Sequence, residues 1–147
     1  MANINEELVT MLNQALRLEH AARIQYLAQA DLIKGLNSEA IIERLKEIAG
    51  DEAKHEEKFR TLITSYLGGE PTMELAPTHK ANTTENILKV NLQDEKAAID
   101  FYKQIYAKII ESKESFPYSF ETLEHEVRHI ILDEQEHVTE LAALLGL

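Results

Sequence analysis

The sequence predicts an all-α protein, a bundle of four long helices with one long crossover between the second and the third. Three observations carry this. Apolar residues recur at alternating steps of three and four through four segments of roughly thirty residues each. Breakers are scarce, with 5 Gly and 3 Pro among 147 residues, and most of them fall between those segments. No stretch shows the strict alternation of a half-buried strand.

The first helix is expected to start after a cap at Asn5, with Glu6 and Glu7 in the first turn where the helix dipole favours them, and to stop near Gly35. The second is expected to begin at Ser38, read as its cap, and to end at Gly68-Gly69. Residues 68–83 read GGEPTMELAPTHKANT, a connection and not an element. The third helix starts near Thr83 or Thr84 and fades by Ser112. Ser115-Phe116-Pro117-Tyr118-Ser119 then breaks the chain, and Ser119 is the expected cap of a fourth helix running almost to Gly146. Short first and third connections predict antiparallel hairpins. The middle one is long enough to cross the bundle from end to end.

Composition narrows the function. The chain reads as a single domain over residues 1–147, long enough to bury a real core. Without cysteine it has no disulfide, thiolate metal site or cysteine nucleophile. A net charge of −11 disfavours nucleic acid and suits cations. No apolar run is long enough to span a membrane. Met1 to Glu7 lacks the basic and apolar regions of a signal peptide, so the cytoplasm is the expected location.

The core stripe carries the functional argument. It runs Leu8, Leu12, Ala15, Glu19, Ala22, Tyr26 in the first helix and Ile41, Leu45, Ile48, Glu52, His55, Phe59, Leu62, Tyr66 in the second. The third gives Leu88, Leu92, Glu95, Ile99, Tyr102, Tyr106, Ile109. The fourth gives Leu123, Val127, Ile130, Glu134, His137, Leu141, Leu144. Every helix places one glutamate on its core face, and two add a histidine three residues later. At about 1.5 Å per residue, all six polar positions fall near one level of the bundle. Buried carboxylates are costly unless paired, protonated or bound to metal. Four glutamates and two neutral histidines balance two divalent cations. Oxygen and nitrogen donors without sulfur suit iron or manganese, and zinc also fits. With 6 His and 21 Glu in the chain, chance supplies about one Glu-x-x-His; three occur. The third, Glu126 with His129, flanks the stripe and reads as surface.

These strings resemble the ferritin-like di-iron carboxylate family, bacterioferritin most closely. The likeness lies in LEHAARIQY around Glu19, DEAKHEEKF around Glu52 and His55, NLQDE at Glu95, and DEQEH around Glu134 and His137. It implies a ferritin-like bundle that binds two iron ions. Glu52 and Glu134 would bridge them, Glu19 and Glu95 would be terminal ligands, and His55 and His137 would take one ion each. It further implies a ferroxidase that oxidises Fe(II) to Fe(III) with O2 or H2O2 in iron storage or detoxification. Three departures matter. Ala53 stands where bacterioferritins carry the haem-ligating methionine, so no haem is expected. No fifth helix follows the fourth, which argues against a 24-subunit shell. Ala98 stands where rubrerythrin-type peroxidases carry an extra glutamate. A rubrerythrin-like peroxidase and a non-enzymatic helical interaction module remain the alternatives.

Of the neighbours, Tyr26 and Tyr102 are either core tyrosines with a hydrogen bond or functional, and in the functional reading Tyr26 ranks first as a hydrogen-bond donor to a ligand or an electron source, ahead of Tyr102. Asp51 and Asp133 orient the histidines, guide iron inward or lie on a solvated flank. Gly50 marks close helix packing or room for ligand movement. Glu56, Glu57 and Glu136 read as a solvated face, and His20, His79, His125 and His129 receive no role. Off-stripe apolar residues (Leu16, Ile24, Leu27, Ile42, Ala49, Ile63, Ile131, Ala142) mean either a thick core or a subunit face, and a homodimer or larger homo-oligomer is expected.

Overall fold

The computed structural model describes residues 3–147; Met1 and Ala2 of the N-terminal segment lie outside it. Four helices make the bundle: α1 Ile4–Ala30, α2 Ser38–Thr61, α3 Thr84–Glu111 and α4 Phe120–Leu144. No strand occurs among the described residues. α1 packs on α2 and α3, and α4 packs on α3 and α2. The crossover between α2 and α3 lies along α1 as an extended strap. Asn13 holds Glu70 O and Thr72 N, Arg17 O accepts from Ala76 N, and Gln25 and Gln29 hold the two ends of the His79 peptide. These contacts climb α1 in step with the strap, so the strap travels the length of the bundle.

Several helix ends differ from expectation. The cap of α1 is Asn3, whose side chain accepts from Glu6 N at 2.8 Å. Asn5 lies inside the helix and donates to Leu67 O, tying the start of α1 to the end of α2. α1 ends at Ala30, short of Gly35, because the chain turns at Asp31 and Leu32. Ser38 is the first residue of α2, not its cap; Asn37 precedes it with φ 64. Thr83 caps α3 through Asn86 N. Ser119 holds the cap position of α4 without a side-chain cap bond.

The last turn of α2 widens into a π-turn at Leu62–Tyr66. One extra residue per turn rotates everything beyond it. Leu67 is buried as a result, and Tyr66, the last stripe position, is exposed. Tyr106, Ala22 and Leu144 also lie at the rim of the core.

The remaining stripe residues are buried. They form two apolar clusters, one around Leu8, Leu12, Phe59, Ile105 and Val127, the other around Ile41, Leu45, Ile48, Leu88 and Leu141. Each fully buried Leu, Ile or Phe contributes about 1.5–3 kcal/mol. The polar positions of all four helices lie between these clusters. Of the off-stripe apolar residues, Leu16, Ala49, Ile63 and Ile131 are core residues; Ile24 and Leu27 are exposed.

Candidate metal centre

The polar layer is dry and crowded. Glu19, Glu52, His55, Glu95, Glu134 and His137 are each only 1–3% exposed. His55 Nδ1 lies 3.0 Å from Glu134 Oε1, 3.3 Å from Glu52 Oε1 and 3.5 Å from Glu19 Oε1. His137 Nδ1 lies 3.6 Å from Oε1 of Glu52, Glu95 and Glu134. The donors sort into two overlapping groups, Glu19-Glu52-His55-Glu134 and Glu52-Glu95-Glu134-His137, each spanning no more than 4.8 Å. Glu52 and Glu134 belong to both.

Every member of the layer keeps a buried donor or acceptor with no hydrogen-bond partner: Glu19 Oε2, Glu52 Oε1, His55 Nδ1, Glu95 Oε2, Glu134 Oε1 and His137 Nδ1. Leaving such an atom unsatisfied costs about 1–3 kcal/mol. Six aimed at one small volume fit a cation cluster that would satisfy them together.

The surrounding residues hold the six in place by exchange between the two hairpins. Asp133 of α4 binds Nε2 of His55 on α2 at 2.8 Å, and Asp51 of α2 binds Nε2 of His137 on α4 at 2.9 Å. With each Nε2 held by a carboxylate, each Nδ1 faces the layer, the orientation a ligating histidine requires. Tyr26 donates to Glu95 Oε1 at 2.6 Å, and Tyr102 donates to Glu19 Oε1 at 2.7 Å. Tyr26 and Tyr102 thus make matching contacts. Both Asp51 and Asp133 take the orienting alternative.

Without cations the layer balances its charge with protons. Burial, then Glu19 and Glu95, pushes the Glu52 carboxyl well up; burial, then Glu52, Glu95 and Glu19, does the same to Glu134. Burial opposes protonation of His55, but the carboxylates of Asp133, Glu134 and Glu19 outweigh it and raise its pKa to about 12. His137 is raised to about 9, with burial again outweighed by Glu95 and Asp51. Glu95 is lowered: burial opposes ionisation, but the neighbouring Glu134 and His137 and the hydrogen bond from Tyr26 prevail.

A cavity of about 140 Å³ reaches the layer between α1 and α3. Glu52, Glu95, Glu134, Tyr26 and Tyr102 line its inner end, and small apolar residues, among them Ala21, Ala22 and Ala98, line its walls. Pro77 and His79 of the strap and Asp94 of α3 complete the lining. There Gln25 donates to Asn91 and Asp94, Asn91 donates to Gln29, and His79 pairs with Asp94. The stripe passed over Gln25, Gln29 and Asn91 because it follows apolar residues. Their i, i+4 spacing beside Tyr26 and Glu95 was the available signal.

Two other expectations change. Glu56 is not on a solvated face; it is 5% exposed and bound by Arg23 Nε at 2.5 Å, with His20 Nε2 at 3.5 Å. Gly50 does not serve close helix packing. It is exposed, and a Cβ there would meet nothing within 4 Å.

The comparisons agree with this architecture. A family model described as a ferritin-like domain matches residues 9–147. The chain is similar to a ferritin-like, diiron-carboxylate protein from Bacillus anthracis, with 25% identity, 99% of both chains covered and a TM-score of 0.89. It shares its fold with a dodecameric thioferritin, a bacterioferritin-related protein from Bacteroides fragilis (24% identity, 97% of this chain and 86% of that one, TM-score 0.82). The same holds for Rhodobacter capsulatus bacterioferritin (22% identity, 95% and 84% covered, TM-score 0.81). No curated protein matches significantly. Among the described residues, no helix is long and apolar enough to cross a membrane. With the family model spanning nearly the whole chain and the bundle superposing on these structures, the chain belongs to the ferritin family.

Proposed function

We propose that the polar layer is a dinuclear ferroxidase centre. The single observation that carries this is the unpartnered buried atom on each of Glu19, Glu52, His55, Glu95, Glu134 and His137. In this reading Glu52 and Glu134, the residues common to both donor groups, bridge two Fe(II) substrate ions. Glu19 and His55 serve one ion, and Glu95 and His137 the other. Oxidation of the pair by O2 moves two electrons and, with two protons, yields H2O2 and two Fe(III); H2O2 serves as an alternative oxidant. Manganese and zinc are the other cations this oxygen and nitrogen set accommodates.

The protein's own part is geometric and electrostatic. Asp51 and Asp133 hold the imidazoles, and Tyr26 and Tyr102 hold the terminal carboxylates. Tyr26 is the residue given a catalytic role in this reading, as hydrogen-bond donor to Glu95 Oε1 or as an electron source. The 140 Å³ cavity provides room for a small oxidant beside the carboxylates. The reading includes no haem, since the Ala53 methyl offers no lone pair. It includes a homo-oligomer, supported by exposed Ile24, Leu27 and Leu32 on one side of the bundle.

Stepwise aerobic addition of Fe(II) to the apoprotein tests the reading, with oxygen consumption and retained iron measured per chain. A rapid phase ending near two irons supports the centre without storage. Continued oxidation with soluble, retained iron adds a storage assembly. Absence of a phase faster than the protein-free rate refutes the ferroxidase.

A further inference from the structure

A second place on the surface also brings metal-binding groups together. His125 and His129 are four residues apart on α4, so they share one helix face about one turn apart. Their rings lie with centroids 4.1 Å apart and planes tilted by 30°. His125 is exposed and His129 half-buried. Neither ring makes a hydrogen bond or ion pair with another side chain among the described residues. The other two histidines outside the buried centre are occupied: His20 contacts Glu74 O and Glu56, and His79 pairs with Asp94.

Two imidazoles at i, i+4 on one helix face are the spacing with which helices chelate a transition-metal ion. The ladder continues in both directions at the same step. Glu121 precedes His125 by four residues, and Asp133 follows His129 by four, placing a carboxylate one turn to either side. Glu121 is exposed, and Asp133, although it holds His55 Nε2, keeps 46% of its side chain exposed. With the chain's net charge of −11, the face attracts cations. Neighbouring Glu124 and Glu126 are taken by Arg128 with Tyr106 and by Lys58, which leaves the pair itself clear of bound cationic side chains.

We propose that His125 and His129 form a surface capture site for a divalent transition-metal ion, separate from the buried centre. Each ring supplies one nitrogen, and water completes the coordination. Nitrogen donors rank the ions, with Cu(II) held most tightly, Ni(II) and Zn(II) next and Fe(II) below them. Calcium and magnesium, which require oxygen ligands, are not taken.

The test uses untagged protein on a resin carrying immobilised Ni(II), eluted with an imidazole gradient. Resin-bound metal cannot enter the buried layer, so the result does not depend on the ferroxidase reading. The wild-type protein is expected to be retained. His125→Ala and His129→Ala should each elute at a several-fold lower imidazole concentration, and His79→Ala should elute with the wild type. A Zn(II) titration against a metallochromic indicator supplies a solution readout: each of the two variants binds one ion fewer per chain than the wild type. Flow-through of the wild type, or unchanged retention and stoichiometry in both variants, overturns the proposal. Both positions are on the outer face of α4, and unchanged melting curves for the variants verify that folding is not what is being read.

Discussion

Loading the buried centre should release at least two protons per chain at pH 7. The perturbation is anaerobic addition of two equivalents of Co(II) or Fe(II). The magnitude comes from the proton inventory of the layer. His55 and His137, with pKa values raised to about 12 and about 9, each surrender one proton before Nδ1 can ligate. Glu52 and Glu134, both pushed well up by burial and by their carboxylate neighbours, surrender any proton they hold before they can bridge. Protons leaving as two divalent ions enter limit the change in charge of the layer, as a low-dielectric site requires. Affinity for the pair of ions should then rise by at least two orders of magnitude per pH unit, about 2.7 kcal/mol at 1.36 kcal/mol per proton. Above about pH 9 the slope should drop by one, because His137 has already lost its proton. Calorimetry in two buffers of different ionisation enthalpy measures the release directly. Release of fewer than about two protons, with both ions bound, would falsify the assignment of the two histidines and two bridging glutamates.

Three further outcomes follow from the same geometry. In the metal-free protein the folded state holds more protons than the unfolded one at these groups, so stability should fall as pH rises from about 5 to 9; a melting temperature that climbs over that range would contradict the inventory. Gly50→Ala should stabilise the protein by about 0.5–1 kcal/mol, because the helix gains propensity and the new methyl meets nothing within 4 Å. A destabilisation in chemical denaturation would show that Gly50 has a structural role after all. Ala98→Leu fills part of the cavity beside Glu95 and should slow iron oxidation about tenfold while leaving the number of ions bound unchanged; equal rates would exclude the cavity as the place of the oxidant.

Much of this protein is legible along the chain because a helix repeats its environment every three or four residues. A stripe that stays apolar except for one glutamate per helix already states that four carboxylates share a core. Equal depth places them at one level, and the balance of formal charge points to two divalent ions. The long GGEPTMELAPTHKANT connection likewise entails parallel second and third helices. Helix ends were less legible, since Asn3 and Asn5 are equally good caps in sequence and only the docking of Asn5 on Leu67 O separates them. The π-turn at Leu62–Tyr66 is not legible along the chain because it changes the helical period that a constant stripe requires.

The sequence by itself determined the helix count, the crossover and the identity of the six residues that meet at the polar layer. Only the tertiary structure decided how they are held. Asp51 lies next to Glu52 but binds a histidine on another helix, and Tyr26 supports a glutamate 69 residues away. The tertiary structure likewise showed Glu56 to be buried against Arg23, and Gln25, Gln29 and Asn91 to join the strap to the bundle. These are contacts between helix faces. Periodicity specifies which face a residue occupies, whereas the packing of neighbouring helices specifies which partner meets it there.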